Sequence, residues 1–346
     1  MIYYLVPLSI FYFGIALSVS YGGTSKAVLF ITSMPLILLV CLRGHAGTDT
    51  ASYYSAFTNP DSFRVYGGEP LFGLLAAFLW DIWADPRFVV NGISLATAVL
   101  LIWGIAGTRY GAWFGGLLLV PAMFFELTMN LMRFGLASSI FLLATQVPMN
   151  RKPVRYLILA IVATGMHFSA ALLFILFVAI TQRPQRVWVV LLMILAVAGT
   201  LVMPGYLENK GDMYEEMVAP SVTSGLALLM MQALMIGAIL RFRRDFDIPN
   251  VGLGLCALVA LGAYATTQFT YAGIRFQMIG VYLLAVVMLR QYAPASGRVS
   301  HGLAMWLLVI GLLGLAGRLH NMVDEAGQGR SPFLPYRTMP ALQDYY

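Results

Sequence analysis

Charge is what this sequence has least of. Of 346 residues, 60% are hydrophobic and only 10% are charged. A soluble globular protein carries roughly 25% charged residues, so a water-facing surface for a chain of this size cannot be assembled from this supply. A bilayer asks for none, because lipid is an apolar solvent. Cysteine is almost as scarce. The two that exist, Cys41 and Cys256, both fall in apolar runs, and two cysteines give neither a disulfide framework nor a metal site. There is no C-x-x-C, H-E-x-x-H, phosphate-binding P-loop or G-x-G-x-x-G. Lysine is rare as well, with 18 arginines against 3 lysines. Lysine cannot give the planar two-pronged grip on phosphate or carboxylate that arginine gives. Base composition of the genome would produce the same bias. The start of the chain, apolar from Ile2, has no basic region and no small-residue cleavage site, which fits a retained first span rather than a removed signal.

What is present is apolar runs. A span needs roughly 20 residues. Candidates are 2–20, 26–42, 88–106, 112–130, 131–148, 187–203, 221–240, 251–269, 274–290 and 301–318. Two segments fit less well. Residues 69–83 are short and flanked by acid. Residues 155–181 are too long for one span and are interrupted by Gly165, His167 and Ser169. The fold expected is all-α, a polytopic integral membrane protein of about 10 spans plus two re-entrant or broken helical hairpins, in a single domain over 1–346. Short basic loops favour the cytoplasm. The basic loops 149–155, 182–186, 241–250 and 291–300 all fall inside, and the acidic loop 204–220 outside, only if 155–181 enters and leaves on one side. Both termini are then external, as are the loop 43–68 and the tail 319–346. Broken helices at membrane depth persist only in protein or beside a polar cavity, so the topology predicts a cavity.

This orientation sorts the charges. Arg43, Asp49, Glu69, Arg133 and Arg275 lie at external span ends, and His167 lies at the predicted break. Ionisable groups in or beside spans are costly and are functional candidates for that reason. Each also has a plainer role: Arg43 and Arg275 could snorkel to headgroups, Arg133 could contact Glu126 two turns before it, and His167 could bond a neighbouring helix. Tyr53, Tyr54 and Phe57 suit either interfacial anchoring or stacking on a sugar. Gly47-Thr48-Asp49-Thr50 has turn chemistry, with Thr48, Asp49 or Thr50 placed to cap a helix starting at Ala51.

Five elements in chain order carry a resemblance. They are Arg43-Gly44 with Gly47-Thr48-Asp49-Thr50 and the following aromatics, Glu69-Pro70-Leu71-Phe72, Leu131-Met132-Arg133-Phe134-Gly135-Leu136-Ala137, Met166-His167-Phe168-Ser169-Ala170-Ala171-Leu172, and Ser331-Pro332-Phe333-Leu334-Pro335-Tyr336. Together the sequence resembles the EpsG-like proteins, a branch of the Wzy-type bacterial polysaccharide polymerases. Phe134 and Ser331 stand where that family usually has Gln and Asn. The resemblance implies a glycosyltransferase of the inner membrane. It would move a glycan from undecaprenyl diphosphate to a hydroxyl of another lipid-linked repeat unit, with no cofactor and no metal.

On that reading Asp49, His167 and Glu69 are the catalytic candidates, Asp49 first as base. Arg133 and Arg275, with Arg43 third, would bind the diphosphate. Tyr53, Tyr54 and Phe57 would bind sugar. The hairpins 69–83 and 155–181 would border an apolar groove for the prenyl chain. Partners are the lipid-linked oligosaccharide, membrane lipids and a chain-length regulator or export complex, with no nucleic acid. The rival readings are a flippase for lipid-linked sugars, a glycan ligase and a non-catalytic assembly subunit.

Overall fold

Among the described residues the apolar runs fold as helices. The computed structural model describes residues 1–20, 25–44, 46–47, 49–58, 69–181, 224–323, 333–334, 336 and 338. The expected span 187–203, the acidic loop 204–220 and most of the C-terminal tail lie outside the described residues. Among the described residues there are thirteen helices of more than three residues: α1 (Ile2–Ser20), α2 (Lys26–Cys41), α3 (Thr50–Phe57), α4 (Pro70–Ile82), α5 (Pro86–Ala106), α6 (Ala112–Asn130), α7 (Met132–Ala144), α8 (Pro153–Met166), α9 (Ser169–Thr181), α10 (Leu226–Arg241), α11 (Asn250–Thr267), α12 (Ala272–Gln291) and α13 (His301–Val323). The chain is an all-α, multi-pass membrane protein.

Six of these helices, α1, α5, α6, α11, α12 and α13, are long and apolar enough to cross a membrane. Six more are apolar but shorter: α2, α4, α7, α8, α9 and α10. Of the ten expected spans, 26–42, 131–148 and 221–240 form the shorter helices α2, α7 and α10, and 187–203 lies outside the described residues. The backbone breaks at Leu131 (ψ 54°) between α6 and α7 and at His167 (φ −162°, ψ 126°) between α8 and α9. The second break is where the sequence predicts it.

Helix starts follow ordinary chemistry. Pro70, Pro86 and Pro153 each occupy the first helical position, where a missing N–H is no loss. Asp85 caps α5 by accepting from the Arg87 amide at 2.8 Å. In α1 the buried residues Tyr4, Leu8, Phe11, Ile15 and Ser18 recur every three or four positions, so one stripe packs inward while Ile2, Tyr3, Val6 and Phe13 face outward. By contrast α6 is 83% buried and is enclosed on all sides.

Contacts divide the chain into two compact units, Met1–Ala170 with Leu315–Tyr346, and Ala171–Gly314. In the first, α1 packs on α2, α5 on α2 and α7, α7 on α8, and α4 on α5 and α8. The C-terminal segment returns across one end of this unit. Tyr4 donates to the Phe333 carbonyl at 2.9 Å, Tyr336 to the Leu39 carbonyl at 2.7 Å, and Thr338 pairs with Arg43 in a single β-bridge. The start of α1, the end of α2 and the tail therefore share one end of the unit. An open apolar groove of about 400 Å³ lies there, lined by Ile2, Val6, Pro35, Leu38, Leu42 and Tyr336.

In the second unit α10, α11 and α12 pack on one another. Gln232 of α10 donates to the Gln277 carbonyl of α12 at 3.0 Å. Gly252 of α11 sits so close to α9 that a Cβ there would lie 2.3 Å from the Ile180 carbonyl oxygen.

Candidate functional site

Four chain segments that are remote in sequence meet at one end of the first unit. Glu69 immediately precedes α4, Arg133 is the second residue of α7, His167 occupies the break after α8, and Tyr53 lies on α3. Arg133 Nη1 donates to Glu69 Oε2 at 2.6 Å, and its Nε to the Tyr53 hydroxyl at 3.2 Å. The other carboxylate oxygen, Glu69 Oε1, binds His167 Nδ1. His167 Nε2 faces Ser169 Oγ at 3.2 Å. Phe134 packs edge-on against the imidazole, ring centroids 6.1 Å apart.

Exposure separates roles within this group. The Glu69 side chain is 1% exposed, while Arg133 and His167 are each 17% exposed. Glu69 is thus inside, held by two groups that both reach the surface. Burial alone would raise its carboxyl. The hydrogen bond and charge of His167, then those of Arg133, outweigh burial and hold it at about 2. An ionised carboxylate only accepts hydrogen bonds, so the proton between the two groups belongs to His167 Nδ1. With Nδ1 carrying that proton, Nε2 is the nitrogen that can offer a lone pair, on the Ser169 side. Carboxylate, imidazole and hydroxyl stand in a row, an arrangement that can accept a proton from an alcohol.

The site lies at the opposite end of α7 from the basic turn Arg151-Lys152-Pro153-Val154-Arg155.

Other candidates sit differently from expectation. Arg43, expected at a diphosphate, is 0% exposed. Its Nη1 donates to the carbonyls of Val40 at 3.1 Å and Thr128 at 2.9 Å and to Ser94 Oγ at 2.9 Å, and its Nη2 contacts the Met129 carbonyl at 3.5 Å. A guanidinium so enclosed has no face for a ligand. Tyr53, Tyr54 and Phe57, expected to stack on sugar, are buried too. Tyr53 and Phe57 stack on each other at 6.0 Å, and both rings meet Phe72. They pin α3 to α4, and the Tyr53 hydroxyl is turned to Arg133.

Asp49 is half-buried and immediately precedes α3, which begins at Thr50 rather than Ala51; its side chain does not cap that helix. Its charge bears on the Tyr53 hydroxyl, which burial first and Asp49 and Glu69 next keep protonated against the pull of Arg133. Arg275 lies in the first turn of α12, in the second unit, half-buried. Glu126 does not meet Arg133. It pairs with Arg318 at 2.5 Å and accepts from Asn130 at 3.2 Å, and Arg318 lies over the Phe333 ring at 4.6 Å. Sequence reasoning passed over Arg318, although an arginine inside an apolar helix is the signal that would have found it. Among the described residues no group of three or more His, Cys, Asp or Glu is placed to hold a metal ion.

Two glycines of the recurring elements are explained by close approach. Gly47 has φ +122°, and a Cβ on it would lie 2.8 Å from the Met129 carbonyl oxygen. A Cβ on Gly135 would fall 1.8 Å from the Leu127 carbonyl oxygen, where the first turn of α7 folds back under the end of α6. The elements that frame the site thus run from residue 43 to the tail, and the EpsG family model matches residues 26–338. The chain belongs to the EpsG family. No curated protein and no solved structure matches it.

Proposed function

We propose that this EpsG-family member is a polysaccharide polymerase, a glycosyltransferase that joins undecaprenyl-diphosphate-linked repeat units into exopolysaccharide or capsule at the outer face of the bacterial inner membrane. The observation that carries the reading is the row Glu69–His167–Ser169 with Arg133 beside it, at the end of the unit opposite a basic turn. His167 Nε2 takes the proton of the acceptor hydroxyl as that oxygen attacks the anomeric carbon of the donor. The glycosidic bond forms, the anomeric carbon–oxygen bond to the diphosphate breaks, and the polyprenyl diphosphate leaves. Glu69 fixes the ring and stabilises the imidazolium; a base so placed contributes about 10²–10⁴-fold. Asp49, first choice of base from the sequence, is the alternative proton acceptor.

The leaving diphosphate needs cations that grip in a plane. Arg133 offers its partly exposed edge, and Arg275 is the second candidate. Both compact units are read as one polymerase domain of about ten membrane passages, counting the short apolar helices. The apolar groove between α1 and α2 is a place for a lipid chain.

The test is reconstitution. The purified full chain in liposomes, given a lipid-linked repeat unit, should lengthen it with release of polyprenyl diphosphate. Movement across the bilayer without growth identifies a flippase, and transfer of finished glycan to another acceptor identifies a ligase. Deletion in the source organism should leave single repeat units on the carrier.

A further inference from the structure

Helix α6 ends abruptly. Its last stretch, Glu126–Asn130, is a π-turn, closed by the Leu131 amide on the Glu126 carbonyl at 2.8 Å. The chain then breaks and restarts as α7. The final carbonyls of any helix lack intrahelical donors, and here they are buried, since Thr128, Met129 and Asn130 are each 3% exposed or less. The donors come from elsewhere. Arg43 reaches Thr128 and Met129, Ser94 of α5 donates to Thr128 at 2.9 Å, and Thr50 of α3 donates to Met129 at 3.4 Å. Arg43 Nη2 also lies 3.5 Å from Met132 Sδ in the first turn of α7, and the Arg43 carbonyl accepts from Asn91 at 3.0 Å. A cation at a helix C-terminus also opposes the negative end of its dipole. Three residues beyond Asn130 comes Arg133.

We propose that Arg43 is a positioning residue for the Arg133–Glu69–His167 site: its guanidinium replaces the hydrogen bonds that the broken end of α6 cannot make, and thereby fixes where α7 restarts and where Arg133 points. The role differs from contact with a diphosphate, and it rests on the reading of the site given above. Through Thr50 the same carbonyl end also locates α3, and with it Tyr53 on the other side of Arg133. Tail and hub are joined as well, because Thr338 bridges to Arg43.

The experiment reads the Glu69 carboxyl without needing turnover. The full chain is purified in nanodiscs with its glutamates ¹³C-labelled at the carboxyl, and the Glu69 signal is assigned by its loss in Glu69→Gln. In Arg43→Gln the Arg133–Glu69 contact loosens, and the Glu69 titration midpoint rises by about one pH unit or more. Arg43→Lys, with a charge but no fork, gives an intermediate rise. Ser94→Ala, a milder loss at the same carbonyl, gives a smaller rise of the same sign. In liposomes Arg43→Gln lowers kcat about 100-fold, the cost of a misplaced group, with KM for the lipid-linked unit unchanged. A folded Arg43→Gln with an unmoved Glu69 midpoint overturns the proposal. So does a raised KM with an unmoved midpoint, which would return Arg43 to the diphosphate. If Arg43→Gln does not fold, Ser94→Ala decides, and an unmoved midpoint there overturns it. Absence of chain growth by the wild type would refute the polymerase reading alone, and the carboxyl titration would still decide the role of Arg43.

Discussion

Ninety-eight residues separate Glu69 from His167, yet the Glu69 carboxylate holds His167 Nδ1 with one oxygen and Arg133 Nη1 with the other. One buried acid thus sets the orientation of an imidazole and the direction of a guanidinium.

Replacing Glu69 with Gln keeps the shape but removes the charge that fixes the imidazole tautomer. Chain growth should fall about 10²–10⁴-fold with KM for the lipid-linked substrate little changed. Initial rates in liposomes at several substrate concentrations separate the two parameters. A loss carried by KM alone would place Glu69 in binding.

Arg133→Lys retains a positive charge but cannot reach Glu69 and the Tyr53 hydroxyl together through a rigid fork. Most polymer should disappear, judged by glycan length at matched protein levels in the source organism. Near-normal polymer would reduce Arg133 to a structural ion pair.

Acid should weaken the fold through Glu69. Its carboxyl moves from an ordinary 4.5 to about 2 on folding, so the folded state favours the ionised form. The contribution is complete above pH 4.5 and is lost as pH falls from there towards 2. Between those values the melting temperature of the wild type should drop more steeply than that of Glu69→Gln. Parallel curves would mean that Glu69 titrates alike folded and unfolded.

Gly135→Ala should destabilise by about 3 kcal/mol or more, because the added carbon meets a backbone carbonyl at 1.8 Å. Gly254→Ala in α11 is the control. A Cβ there meets nothing within 4 Å, and alanine in a helix interior is favoured over glycine by about 0.5–1 kcal/mol. Thermal unfolding in detergent distinguishes them, and equal behaviour would refute the close approach of α7 to α6.

Glu126→Gln strands the Arg318 charge in a nearly closed setting, with both side chains about a tenth exposed. Breaking one side of such a pair costs about 3–5 kcal/mol. Removing both partners, Glu126→Leu with Arg318→Met, should recover most of that loss.

Much of this was legible in the sequence for a physical reason. Charge is so costly beside an apolar span that Glu69, Arg133 and His167 stand out individually, and Gly165 with His167 and Ser169 marks the interruption of an overlong run. Partnerships were not legible. Glu126 and Arg133 are two turns apart on a continuous helix, but the chain breaks at Leu131 and Glu126 turns to Arg318, a residue brought near only by the return of α13. Nor does a π-turn announce itself, since it leaves no periodic mark on apolar residues that are buried all round. The aromatics of α3 show the limit from the other side. Tyr53 and Phe57 have the composition of a sugar platform, and only packing against Phe72 reveals that they are filling an interior.

The short helices have a consequence for how a lipid-borne substrate would be met. At 13 residues each, α4 and α7 reach about 20 Å, against a hydrocarbon layer about 30 Å thick. Reactive groups mounted on the ends of such stubs would stand recessed beneath the plane of the headgroups. A carrier could then present its phosphates by sideways diffusion within the leaflet, its tail never leaving oil, while the sugars it bears stay in the water above.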